Sequence, residues 1–341
     1  MTRALSGPLI AACLALVATY LWGGIGAMFT TLLLIVLEVT LSFDNAVVNA
    51  AVLRRMTPQW QERFITWGIP ISVIFTRALL PVLIVAAAIG ASPVFVAHLA
   101  VVDPAQYGIL LAQAHTAIAS FGGMFLLLVA LSYFIDDKKN THWLHSIEKF
   151  LARWGEMYAL EIAIALVLLL LCAWAVAPGD RTTVLAAGVI GIAIFILVRS
   201  ISSIFEVETE MSPSGVRHER AALALFIYLN ILDAAFSLDS VVGAFVLTAA
   251  LPVIVIGLGV GAYAVRSLTL TMVHHRVLDT LAYIEHGAHW AILWLAVAML
   301  AGLFMYVPEP VTGFVGLFFV GLAYRSSLIE IERKISAGAK G

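Results

Sequence analysis

Leu37-Glu38-Val39-Thr40-Leu41-Ser42-Phe43-Asp44-Asn45-Ala46-Val47-Val48-Asn49 and Leu232-Asp233-Ala234-Ala235-Phe236-Ser237-Leu238-Asp239-Ser240-Val241-Val242-Gly243-Ala244 are two versions of one pattern. In each, an acid precedes a serine by four residues and a second acid by six, inside a long apolar run. The chain of 341 residues is 62% hydrophobic and 12% charged, with a mean hydropathy of +1.03. A soluble domain is about 45–50% apolar and about 25% charged. The composition therefore predicts an all-α, polytopic membrane protein, in which each acid within a span is costly and marks a functional site. The cysteines, Cys13 and Cys172, lie alone in separate apolar runs, so no redox pair or thiolate metal site is expected.

A spanning helix needs about 20 mostly apolar residues. Ten candidates follow, at about 8–22, 27–53, 65–90, 107–134, 157–177, 183–204, 221–249, 252–273, 284–306 and 311–326. Arg3 followed by apolar residues 9–22, with no small-residue cleavage site, reads as an uncleaved first helix. With both termini inside, 16 of the 19 basic residues fall on the inner side or at the inner ends of spans. Arg181 alone falls outside, and Arg77 and Arg266 lie within spans. This asymmetry fits the positive-inside rule and predicts an N-in, C-in protein of the cell inner membrane.

The pattern extends past the acids. Each copy is followed by an apolar helix with one Arg (Arg77, Arg266) and then by a helix opening near a His (His115, His286). The expected repeats span about 27–134 and 221–306. They lie five spans apart, an odd number, and so have opposite topology. Inverted repeats build binding sites near the bilayer midplane. Between them, residues 141–154 read as an amphipathic helix on the inner face, with Glu148, Lys149 and Arg153 on its polar side. The polar segment from Glu206 to Gly215 reads as a loop.

On a straight helix, Ser42, Asn45 and Asn49 share the Glu38 face, whereas Asp44 lies about 120° away. Asp233, Ser237 and Ser240 likewise align, with Asp239 off the face. Both acids of a copy can serve one point only if the helix breaks near Ser42-Phe43 and near Ser237-Leu238, as helices lining transporter cavities do. The four acids Glu38, Asp44, Asp233 and Asp239 face two permanently charged guanidiniums, Arg77 and Arg266. Two negative charges remain, enough for one divalent cation or two protons. The candidate metal ligands are Glu38, Asp44, Asn45, Asp233, Asp239 and Ser240, supported by Ser42, Asn49, Ser237, Arg77, Arg266, His115 and His286. These are mostly hard oxygen donors, suited to Mg²⁺, Ca²⁺ or Mn²⁺, and a neutral His would favour Mn²⁺. Structural readings stand beside these: the arginines as plain ion-pair partners, the histidines as packed residues bonded to backbone. Nothing resembling HExxH, or a Ser or Cys nucleophile beside a positioned His, suggests an enzyme.

The Glu38–Ala50 segment, with Met56-Thr57-Pro58-Gln59-Trp60 and Trp67-Gly68-Ile69-Pro70-Ile71, resembles the TerC-like integral membrane proteins. These include Alx-type manganese exporters and tellurite-resistance proteins and belong with the LysE-like exporters. The resemblance implies metal-ion efflux, with Mn²⁺ leading, and Glu38, Asp44, Asn45, Asp233, Asp239 and Ser240 at the motif positions. The second copy departs by carrying Asp239-Ser240 where many relatives have Asp-Asn. The expected partners are the lipid bilayer and the transported divalent cation. No other cofactor and no nucleic acid are expected. The competing reading is a membrane scaffold of a tellurite or stress-response complex that docks soluble proteins on its inner face.

Overall fold

The computed structural model describes residues 2–136, 141–153, 159–211 and 215–338; at some helical positions, Asp239 among them, only the backbone is described. The described residues form helices and the short connections between them, with no strand. In chain order the helices are α1 (Thr2–Leu41), α2 (Phe43–Leu53), α3 (Pro58–Thr66), α4 (Gly68–Pro70), a π-helix (Ile71–Leu79), α5 (Leu80–Ile89), α6 (Pro93–Val102) and α7 (Pro104–Gln113). There follow α8 (His115–Phe134), α9 (His145–Ala152), α10 (Leu160–Ala175), α11 (Arg181–Met211) and α12 (Gly215–Leu247). The last four are α13 (Leu251–His274), α14 (Val277–Thr280), α15 (Ile284–Ala301) and α16 (Glu309–Gly338).

Among the described residues, eight helical stretches are long and apolar enough to cross a membrane. The chain is a multi-pass, all-helical membrane protein. Two local features separate these eight from the ten expected spans. The first two spans share α1, which bends where Gly23 and Gly24 leave helical geometry. Gly24 takes φ 71° and ψ −164°, a conformation open only to glycine. The fifth span is represented by α10, only 16 residues long. Elsewhere the expected fourth span divides at Ala114. Its first part becomes α7, capped by the Asp103 carboxylate on the Gln106 N–H at 3.0 Å, and the membrane-length helix starts at His115. The segment expected as a loop from Glu206 is helical to Met211, and residues 212–214 lie outside those described.

The core forms where small residues let helices approach. The central helix α8 is buried over most of its length. It meets α11 at Gly191, where an added Cβ would lie 2.5 Å from the Phe121 carbonyl oxygen. On α13, Gly257 and Gly261 form a GxxxG step against α1; added Cβ atoms would lie 2.7 Å from Leu34 Cβ and 2.5 Å from Glu38 Cβ. In lipid, where no hydrophobic force drives helix pairing, such close approach supplies the packing attraction. It also brings the first acid of one copy against the Arg-bearing helix of the other. The outer faces of α1, α10 and α16 leave Leu14, Leu21, Trp174, Phe314 and Phe318 exposed, as a surface turned to lipid requires.

Candidate functional site

Glu38 lies at the C-terminal end of α1. Between α1 and α2 the helix is interrupted at Ser42 (φ −100°, ψ 15°), yet Ser42 N–H still donates to Glu38 O and Ala46 N–H to Ser42 O, each at 3.0 Å. The expected break is thus a slight kink in the first copy. In the second copy it is absent, because α12 runs unbroken through Ser237-Leu238. A helix that keeps its backbone bonds has no need to open, and α12 stays continuous past the second copy's serine.

Charged and polar side chains from both copies form one buried network. Arg77 donates to the Glu38 carboxylate through Nη2 and to the Ser72 hydroxyl through Nη1, which also reaches Ser72 O at 3.1 Å. Ser72 Oγ donates to Asp233 Oδ2 at 2.8 Å. Arg266 Nη2 donates to the same oxygen at 2.8 Å, and Asn45 Nδ2 donates to Asp233 Oδ1 at 3.1 Å. Ser42 Oγ lies 3.3 Å from Glu38 Oε1. Glu38, Asn45, Arg77, Asp233 and Arg266 are all at least 95% buried. At such depth a lone charge is untenable, and pairing each carboxylate with a guanidinium satisfies both. Each first acid therefore pairs with the arginine of its own copy, and the arginines neutralise Glu38 and Asp233.

Local structure explains how these groups meet. Ser72 and Arg77 are five residues apart on a π-helix, whose wider turn stacks i over i+5. Arg266 crosses from α13 to the start of the third expected span. Its guanidinium lies 4.6 Å from the Phe64 ring centre and 3.4 Å from Phe64 O, beside Gly68, where any side chain would collide with it. The amide oxygens of Asn45 and Asn49, Glu38 Oε2 and Thr76 Oγ1 are buried and have no partner among the described residues. Buried acceptors left this way call for water or a cation.

Asp44 stands apart from the network. It is 6% exposed, and Oδ1 accepts the Asn45 N–H at 2.9 Å. No cationic side chain pairs with it among the described residues. It lines a cavity of about 20 Å³ whose polar wall is Thr40, Ser42, Ser240 and Thr312 and whose apolar wall includes Leu41, Phe236, Ala291, Leu295 and Leu317. That space holds a water or a partly dehydrated ion and little more. Ser240 Oγ donates to Ser237 O at 3.0 Å, which leaves its lone pairs available. Of the two remaining acids, Asp44 is at the cavity, while the Asp239 side chain lies outside the described residues. No cluster of three or more His, Cys, Asp or Glu suited to a metal occurs among the described residues. A cation at Asp44 would be held by one carboxylate, hydroxyls and retained waters. That donor set fits a hard divalent ion, which keeps waters and uses one or two carboxylates.

The histidines do not join the acids. His115 is partly buried beside Gly302, and His286 Nδ1 lies 2.8 Å from Glu148 Oε2. Neither shares a polar contact with Glu38, Asp44 or Asp233. Glu148 itself departs from expectation. Instead of lying on the water-facing side of α9, it is 1% exposed and accepts from the backbone N–H groups of Trp143 and Leu144 and from Trp290 Nε1. Ile147 and Phe150 turn outward instead. Capping the frayed start of α9 from within the bundle outweighs the helical periodicity that grouped Glu148 with Lys149.

Sequence reasoning missed Ser72, Gly68, Thr40, Thr312 and Gly316. Ser72 is legible only once the π-helix is known. Thr312 and Gly316 belong to α16, outside both expected repeats. Residues 43–334 match the family model described as "Protein of unknown function (DUF475)". Comparisons with the curated proteins and with solved structures returned no match.

Proposed function

The chain belongs to the DUF475 family, whose description assigns no activity, and we propose from the site itself that it exports a divalent metal cation, Mn²⁺ first among the candidates. One observation carries this reading. Asp44 is a buried carboxylate with no cationic partner among the described residues, and it lines a small, largely apolar cavity, with hydroxyls in its wall, between the two copies of the motif. A carboxylate at that depth calls for a compensating positive charge. The neighbouring acids already have theirs from Arg77 and Arg266, so Asp44 is the group left to receive a cation or a proton.

In this reading Asp44 supplies the charge, with the hydroxyls of Thr40, Ser42, Ser240 and Thr312 beside it. Asp239 completes the balance for a divalent ion. Two protons occupy the carboxylates when the ion leaves, so metal moves out as protons move in. The two units rock about the site in opposite topology, N-in and C-in, across the cell inner membrane. The resemblance of the Glu38–Ala50 segment to TerC-like exporters supports the same substrate class. The paired Glu38–Arg77 and Asp233–Arg266 groups fix the helices around the site without spending their charge on the ion.

The test is flux in sealed vesicles holding a pH-sensitive dye, run across Mn²⁺, Mg²⁺, Ca²⁺ and Zn²⁺. Mn²⁺ flux with opposing proton movement is expected in the wild type. Asp44→Asn is expected to lose at least about 100-fold, more than loss of an outer-shell partner costs, while still inserting. Wild-type flux in Asp44→Asn overturns the site. Flux without proton movement overturns the exchange.

A further inference from the structure

Gly313 and Gly316 sit on α16, three residues apart, and both line the Asp44 cavity. They meet different neighbours. A Cβ on Gly313 would collide with the Leu41 side chain and lie 3.7 Å from Leu41 Cα, so Gly313 is a contact between helices. A Cβ on Gly316 would lie 3.5 Å from Ala291 Cβ and 3.9 Å from Asp44 Oδ2, ordinary van der Waals distances. Packing therefore does not require glycine at position 316. What the missing methyl leaves is open space beside Asp44 Oδ2.

That oxygen is the free one of the pair. Oδ1 is held by the Asn45 N–H, and among the described residues no side chain and no other residue's N–H donates to Oδ2. A hard divalent ion lies about 2.1 Å from a carboxylate oxygen. Placed on the Gly316 side of Oδ2, it would leave about 1.8 Å to the methyl carbon that Gly316→Ala adds, far inside contact distance. A methyl is about the size of a water molecule. It would take either the ion's place or that of the water the ion keeps.

We propose that Gly316 is the size-determining residue of the Asp44 site: its missing side chain reserves the place of a divalent cation and one retained water. This rests on the cation-site reading above and names a residue of α16, outside both repeats, as part of it. The space is bounded on its far side by Ala291 of α15, so the gap is set jointly by α15, α16 and Asp44.

The experiment titrates Mn²⁺ and Ca²⁺ separately into purified protein in detergent by calorimetry. It compares wild type, Gly316→Ala, Gly321→Ala and Asp44→Asn, and follows thermal unfolding of each. Gly321 lies on the same helix, and an added Cβ there meets nothing within 4 Å, so it controls for the helix change alone. Expected are Mn²⁺ binding weakened about tenfold or more in Gly316→Ala, in line with what one extra carbon decides in a fitted pocket. Its melting temperature should match that of Gly321→Ala, and Gly321→Ala should bind as wild type does. Wild-type affinity in Gly316→Ala, with binding lost in Asp44→Asn, overturns the role of Gly316 and leaves the site standing. Retained binding in Asp44→Asn overturns the site itself. If Gly316→Ala does not fold, Ala291→Gly decides, since it widens the same gap. Its Ca²⁺ to Mn²⁺ affinity ratio is expected to rise several-fold, and an unchanged ratio overturns the proposal.

Discussion

Glu38 with Arg77 and Asp233 with Arg266 are matching acid–arginine pairs at related places in two copies of one motif, yet the copies are held differently. In the first, the acid-bearing helix kinks at Ser42 and the Arg sits on a π-helix. In the second, both helices are continuous α-helices. Glu38 has Arg77 and a distant Ser42 hydroxyl, whereas Asp233 draws on Arg266, Ser72 and Asn45. Two of those three donors come from the first copy. The position equivalent to Ser72, five residues before the second Arg, is Gly261, which instead lets α13 close on Glu38. One copy thus supplies hydrogen bonds to the other and receives close packing in return. The kink and the π-helix gather the polar groups of the first copy, and the straight helices of the second offer a rigid wall. The two copies of the motif are therefore not structurally equivalent.

The largest test of that asymmetry is in flux. Asp239→Asn is expected to match Asp44→Asn, a loss of at least about 100-fold. A normal Asp239→Asn beside an inactive Asp44→Asn would confine ion binding to the first copy.

Next comes stability in detergent. Arg77→Ala is expected to cost about 3–5 kcal/mol, because Glu38 is left with only a long contact to Ser42. Adding Glu38→Gln should restore part of the loss, and no recovery in the double variant would remove the pair as the cause. Arg266→Ala is expected to cost less, about 2–3 kcal/mol, since Asp233 keeps its bonds to Ser72 and Asn45. Equal costs for the two arginines would erase the distinction drawn between the copies.

Ser72→Ala removes the hydroxyl joining the two pairs and is expected to cost about 1–3 kcal/mol. Non-additivity with Arg266→Ala in a double-mutant cycle would locate the link; strict additivity would break it. The smallest effect lies at the other end of the second copy. Trp290→Phe removes one bond to Glu148 and is expected to cost about 1 kcal/mol, read as faster amide exchange in His145–Ala152 with little change elsewhere.

The amino-acid sequence by itself determined that this is an all-helical, multi-pass membrane protein. Long apolar runs have no other stable form in lipid, since each backbone polar group must be satisfied within its own segment. It also picked out the residues that would be buried and charged. Glu38, Asp44, Asp233, Arg77 and Arg266 stand out because charge in an apolar run is rare and expensive. The boundary between the first two spans was legible around Gly23-Gly24, where the backbone of α1 bends. Tertiary structure alone decided the pairing. The charge count set four acids against two arginines without pairing them, and only the packing of the helices assigned Arg77 to Glu38 and Arg266 to Asp233 and left Asp44 without an arginine. A π-helix differs from an α-helix by a shift in hydrogen-bond register, which side-chain periodicity does not record. Nor could periodicity place Glu148, whose polarity suggested water, but whose bonds to backbone N–H groups, His286 and Trp290 are found inside the bundle. One wall of the cavity came from α16, beyond both expected repeats, because which distant helix closes a gap depends on the shape of the whole bundle.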